Sequence, residues 1–278
     1  MIALQSRRKA LPNILDQIVE TKRQELAQRK RQHPIHDLQS AAGNVEPPRD
    51  MLAALSQPPQ HTVHFITEIK KKSPSAGLIR PDFDPAAIAR IYHTHGASAI
   101  SVLTDEPYFD GRLEYIEQVK QQAPLPVLRK DFMIEPYQIY EARAAGADAI
   151  LLIGEVLEPA QLADMLDLAC ELGMTSLIEV HEEKTLVPLL QTIGFPNNKR
   201  SLLGINNRNL KLQKTDLSTT EQLAKRIPAG TLLVSESGIK TAADVQNVAR
   251  AGARAILIGE TLMRAPDIGI ALDALYPK

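Results

Sequence analysis

Short apolar runs ending in charged side chains, helical patterns between them, and a nearly literal repeat of one helix-to-strand join predict an α/β chain. The expected fold is a closed (β/α)8 barrel with an N-terminal helical extension. The runs are 63–70, 99–103, 127–130, 149–153, 176–180, 202–206, 232–235 and 255–258. They are apolar on both faces, as parallel strands are when helices cover one side and a barrel core fills the other. They recur at the spacing of one strand-plus-helix unit.

Taken in order, residues 1–60 form the extension and 61–278 the barrel. Within the extension, Ile14, Ile18, Val19 and Leu26 alternate with charges over 14–31, which predicts a surface helix. Pro34, Pro47-Pro48 and Pro58-Pro59 then break the segment into pieces, and we expect it to cover one end of the barrel. Helical patterns follow the strands at 85–94, 137–145, 160–172 and 242–251. His95-Gly96-Ala97, Ala145-Gly146-Ala147 and Ala251-Gly252-Ala253 are copies of one join, in which a left-handed glycine ends the helix; Leu172-Gly173-Met174 is a looser copy. The stretch 194–200 precedes a strand, so it is expected at the end away from the chemistry. An open doubly wound sheet would carry a glycine-rich dinucleotide turn after its first strand, but Lys71-Lys72-Ser73-Pro74-Ser75 stands there instead.

The 278 residues are 44% hydrophobic, enough to bury one large core. Thirty-two basic against thirty-three acidic residues argues against a nucleic-acid or membrane-surface partner. No apolar run reaches the roughly 18–20 residues of a membrane span, and no signal core follows Arg7-Arg8-Lys9. A cytoplasmic protein acting as a monomer is expected. The single cysteine, Cys170, reads as a packed thiol. The seven histidines show no H-x-x-x-H pair at a strand end, so no metal site is expected, and His181 reads as a polar loop residue.

The site should lie at the C-terminal ends of the strands. Strand alternation points Glu68, Lys70 and Lys72 to one side, and aligns Lys130 with Phe132. It also turns Glu179, Asn206, Arg208 and Glu236 inward. Lysines and carboxylates in a partly dry cavity shift one another's pKa values, as general acid–base catalysis near neutral pH requires. Left without use, each unpaired buried charge would cost several kcal/mol. Ser235-Glu236-Ser237-Gly238 and Gly259-Glu260 end the last strands in glycines whose N–H groups can approach an anion, and Ser73 could add a hydroxyl. The ligand expected is a phosphorylated small molecule.

Six motifs carry a resemblance. They are Glu68-Ile69-Lys70-Lys71-Lys72-Ser73-Pro74-Ser75, the run from Leu103 to Gly111, Arg129-Lys130-Asp131-Phe132, Leu177-Ile178-Glu179-Val180, the run from Gly204 to Leu210, and Ser235-Glu236-Ser237-Gly238-Ile239. Together they resemble the indole-3-glycerol-phosphate synthase family over nearly the whole chain. The resemblance implies ring closure of 1-(2-carboxyphenylamino)-1-deoxyribulose 5-phosphate, with loss of carbon dioxide and water and no cofactor. It implies Lys130 as general acid, Glu179 and Asn206 as stabilisers of the intermediate, Lys70 and Glu68 in dehydration, and Ser237 as an orienting hydroxyl. Phe109, Phe132 and Leu210 would wall the aromatic ring with Arg208 beside it. Which lysine performs which proton transfer stays open. Rival readings are a sugar-phosphate isomerase barrel, a Schiff-base aldolase and an inactive scaffold.

Overall fold

The computed structural model describes residues 13–209 and 214–276. Eight parallel strands close a barrel: β1 (His64–Ile69), β2 (Ala99–Leu103), β3 (Val127–Lys130), β4 (Ala149–Ile153), β5 (Thr175–Val180), β6 (Ser201–Asn206), β7 (Leu233–Glu236) and β8 (Ala255–Ile258). Each strand pairs with its sequence neighbours, and β1 closes the ring on β8 through His64↔Ala255 to Thr67↔Ile258. The predicted runs match these strands to within a residue or so at each end. Local alternation and apolarity are sufficient to mark a strand buried on both faces.

Alternation sorts the strand side chains into two cores. Phe65, Ile69, Ile100, Val102, Ile150 and Leu152 face the surrounding helices. Ile66, Leu128, Leu151, Leu177, Leu202, Val234 and Leu257 fill the barrel interior. Ile66 therefore faces the axis, and β1's Glu68 follows it inward with Lys70 at the rim. The helix-to-strand joins turn at Gly96 and Gly252, with φ of 81° and 105°, where any Cβ would be strained.

The extension contains α1 (Ile14–Gln32), α2 (Ile35–Asn44) and α3 (Met51–Ser56). Asn13 caps α1 by accepting from Asp16 N at 3.0 Å. The sequence reads α1 as a surface helix, but it buries Leu15, Ile18, Lys22 and Leu26. Leu15 and Ile18 join the interior cluster beside Phe132 and Phe109. Nor does the segment cover one end alone. Thr21 bonds Tyr108 at 2.9 Å at the strands' C-terminal side. At the opposite end, Met51 and Leu55 of α3 are fully buried against the interior core. There Leu52 N donates to Thr175 Oγ1 at 3.3 Å, at the start of β5. Between them, α2 lies along α4 (Pro136–Ala144). Among the described residues no helix is long and apolar enough to cross a membrane.

Candidate active site

A cavity of about 120 Å³ opens at the C-terminal ends of the strands. The barrel positions its charges because each follows an interior apolar residue by two: Glu68 after Ile66, Lys130 after Leu128, Glu179 after Leu177, Glu236 after Val234. Registers Leu103↔Lys130, Ile153↔Glu179 and Glu236↔Asn206 set these side chains at nearly one height around the ring.

Lys130 lies at the centre. Its Nζ stands 2.8 Å from Glu179 Oε2 and 2.9 Å from Glu236 Oε2. Burial alone would push Lys130 down, but Glu179 and Glu236 outweigh it and hold the ammonium well above the ordinary lysine range. The two carboxylates part company. Burial would raise Glu179, yet Lys130 and then His181 hold it down at about 2. Burial pushes Glu236 up to about 8, with the Glu179 charge adding to the rise against the pull of Lys130. Near neutral pH the pair therefore shares one proton, biased toward Glu236.

Across the cavity Lys70 Nζ bonds Glu68 Oε1 at 2.5 Å. Gly259, on the β8 loop, gives Glu68 its space: a Cβ there would collide with the Glu68 carboxylate. Gly204 does the same for Glu236. Gly238 and Gly259 are expected from the sequence to serve alike, as points of close approach to an anion. Gly238 has φ of 84°, but Gly259 has φ of −134°, so close approach rather than handedness requires the glycine there.

Asn206 accepts from Arg208 N at 3.0 Å, and Arg208 pairs with Glu260 at 2.8 Å on the cavity wall. Phe109 and Phe132 face each other with centroids 6.1 Å apart and form the apolar side. Ser237 and Gly238 line the opposite side. Lys72 and Ser73, expected to bind the ligand, do not line the cavity. They form a short ribbon with Gly77–Leu78, and Ser73 Oγ accepts from Ala76 N at 3.2 Å. Leu210 lies outside the described residues.

Sequence reasoning missed three supports. Asn207 donates to Ser235 Oγ at 3.1 Å, Glu236 O at 2.9 Å and Ser237 O at 3.1 Å, tying the β6 end to the β7 loop. Behind the β3 end, Lys22 of α1 pairs with Asp105 at 2.9 Å and Asp131 at 3.0 Å, and Arg129 joins Asp131 at 3.0 Å to Glu141 at 2.7 Å. The signal was three consecutive charges, Arg129-Lys130-Asp131, at the end of an apolar run: alternation sends the middle one inward and its neighbours out. His181, read as a loop residue, is buried, with Nδ1 2.8 Å from Glu155 Oε2.

A family profile described as indole-3-glycerol phosphate synthase matches residues 15–275. The chain is 50% identical over 262 residues to a protein of that name from Rhodopirellula baltica, covering 94% of this chain and 98% of the relative. It is 47% identical over 266 residues to one from Rhodospirillum rubrum, covering 95% and 99%. Among solved structures, 3-hexulose-6-phosphate synthase from Salmonella typhimurium aligns with a TM-score of 0.60 at 13% identity, over 77% of this chain and 96% of that one. Orotidine 5'-phosphate decarboxylase from Pyrococcus horikoshii OT3 aligns at 0.55 and 15%, over 76% and 97%. Those two likenesses speak to the barrel alone. The profile spans both the α1 helix and the last strand, and the relatives match end to end, so the chain belongs to the indole-3-glycerol phosphate synthase family.

Proposed function

We propose that this protein closes the indole ring of 1-(2-carboxyphenylamino)-1-deoxyribulose 5-phosphate, releasing carbon dioxide and water to give indole-3-glycerol phosphate. Family membership carries the reaction. The observation that carries the assignment of roles is Lys130, an ammonium held between two buried carboxylates under an aromatic wall.

The first step needs a proton on the substrate ketone while the ring carbon bearing the carboxylate attacks it. Lys130 is the donor in this reading, and Glu179 stabilises the cation left in the dearomatised ring. Loss of the carboxylate as carbon dioxide returns its electron pair to the ring. The new hydroxyl then leaves as water with a proton from one group, while a base takes the ring proton. Lys70 and Glu68, bonded to each other, suit those two roles. Asn206 orients the hydroxyls, and Ser237 helps. Phe109 and Phe132 receive the aromatic ring near Arg208, and the family resemblance alone adds Leu210. The phosphate lies against the loops at Gly238 and Gly259, where Glu260 opens a short helix.

The test is direct. Purified protein and the synthetic carboxyphenylamino substrate should give indole fluorescence with one carbon dioxide per turnover. Fluorescence appearing only with the preceding sugar-phosphate isomer, or a borohydride-trapped adduct on Lys130 or Lys70, would replace this reading with an isomerase or an aldolase.

A further inference from the structure

A buried chain of charges continues behind Glu179, away from the cavity. His181, one residue beyond β5, donates its backbone N–H to Glu155 Oε1 at 2.9 Å and places Nδ1 2.8 Å from Glu155 Oε2. This two-point grip fixes the ring. Its Nε2 has no hydrogen-bond partner and lies 3.4 Å from Glu179 Oε1, within ion-pair distance. Glu179 in turn reaches Lys130 through its other oxygen. The order is therefore Glu155, His181, Glu179, Lys130, Glu236, and with the imidazole protonated the charges alternate from Glu155 to Lys130. His181 lies outside the cavity lining.

Resting on the reading above, we propose that His181 is a positioning residue. Gripped by Glu155, its imidazolium backs Glu179, keeps that carboxylate the charged member of the Glu179–Glu236 pair, and so leaves the shared proton on the Glu236 side, beside Lys130. The groups that bear on the ring are Glu155 from the β4 loop, Glu179 on its own strand, and Glu236 from β7. Lys130 from β3 reaches it through Glu179, and Glu68 of β1 acts on Lys130 in turn. The adjacent Glu182 is engaged by Lys184 at 2.9 Å. Burial works against a charged ring, but the Glu155 bond and the Glu179 charge outweigh it and raise the imidazole above its ordinary value. A neutral residue at 181 would leave Glu179 with one cation instead of two, and the two carboxylates would divide the proton more evenly.

Two experiments test this. In protein labelled with ¹⁵N-histidine and without substrate, the wild-type His181 ring should carry both protons at pH 7. Glu155→Gln should lower the pH at which it loses one. A neutral wild-type ring would overturn the proposal. In turnover, His181→Gln should lower kcat by about tenfold, the scale of one pKa unit, with little change in KM. It should also move the alkaline limb of kcat/KM to higher pH, because the pair releases its proton less readily without a neighbouring cation. An alkaline limb left at the wild-type pH would reduce His181 to a packing role. Should His181→Gln fail to fold, the ring titrations of wild type and Glu155→Gln decide alone. Absence of indole product from the wild type would sink the functional reading, while the substrate-free ring titration would still judge His181.

Discussion

Lys130 sits where two opposing effects are both large, and the outcome depends on its partners. Burial disfavours its charge, and two carboxylates within 3 Å restore it. Lys130→Met and Glu179→Gln should each lower kcat by at least about a hundredfold, the usual scale for a positioned acid or its counter-charge, with much smaller changes in KM. Steady-state assays that return wild-type turnover in either variant would show that the proton comes from elsewhere. Glu236 supports a pH prediction. Its native value of about 8 lies above the ordinary 4.5, so it holds its proton through neutrality and loses it as pH rises through about 8. The stabilisation tied to that proton is complete below the ordinary carboxylate value of 4.5 and fades as pH rises from there through about 8. If the neutral acid is needed, wild-type kcat/KM falls on that alkaline side. Glu236→Gln keeps a neutral side chain at every pH and should flatten that limb. Its melting temperature should also gain on wild type between pH 5 and pH 9.

At the scale of elements, α1 is joined to the barrel by charge as well as by apolar packing. Lys22 is 1% exposed and supplies a cation to Asp105 and Asp131 at the ends of β2 and β3. Asp131 also receives the Phe132 N–H at 2.8 Å, so the same carboxylate orients the aromatic wall. Lys22→Met would leave Asp105 buried without its cation and Asp131 with Arg129 alone, and we expect a loss of about 3–5 kcal/mol in denaturant unfolding. Adding Asp105→Asn should recover part of it. A loss that Asp105→Asn only deepens would mean that packing, not charge, is what Lys22 provides. The loops after β7 and β8 invite a second comparison. Gly238→Val forces a left-handed residue and crowds Thr215, so it should raise KM strongly and abolish stabilisation by inorganic phosphate in a thermal melt. Lys130→Met should keep that stabilisation. Equal phosphate protection in the glycine variant would move the anion site to another loop.

On the scale of the whole molecule, the extension completes the interior core from the end opposite the cavity. Met51 and Leu55 are fully buried against side chains of the barrel axis. Leu55→Ala should therefore cost about 2–5 kcal/mol, as for a deletion in the centre of a domain, although the residue precedes the first strand. A cost below about 1 kcal/mol by chemical denaturation would show instead that the extension merely lies on the barrel.

By itself the sequence determined the eight strands, the inward set Glu68, Lys70, Lys130, Glu179 and Glu236, and the family. Those are local properties: a period of two, an apolar run, a charge at its end, and motifs of a few residues. The tertiary structure alone decided which charge meets which. Lys130 meets Glu236 only because ring closure brings β3 and β7 to face each other across the axis at one height. The same closure buries His181 behind Glu179, where sequence shows only a polar residue after a strand. It draws Lys22 from a helix with ordinary surface patterning onto Asp131. It also turns Lys72 and Ser73 out of the cavity, because the chain leaves the sheet after β1 and alternation no longer governs where they point. Alternation is a rule within a strand. Distance between strands is set by register and closure, and with it the pKa values on which the chemistry depends.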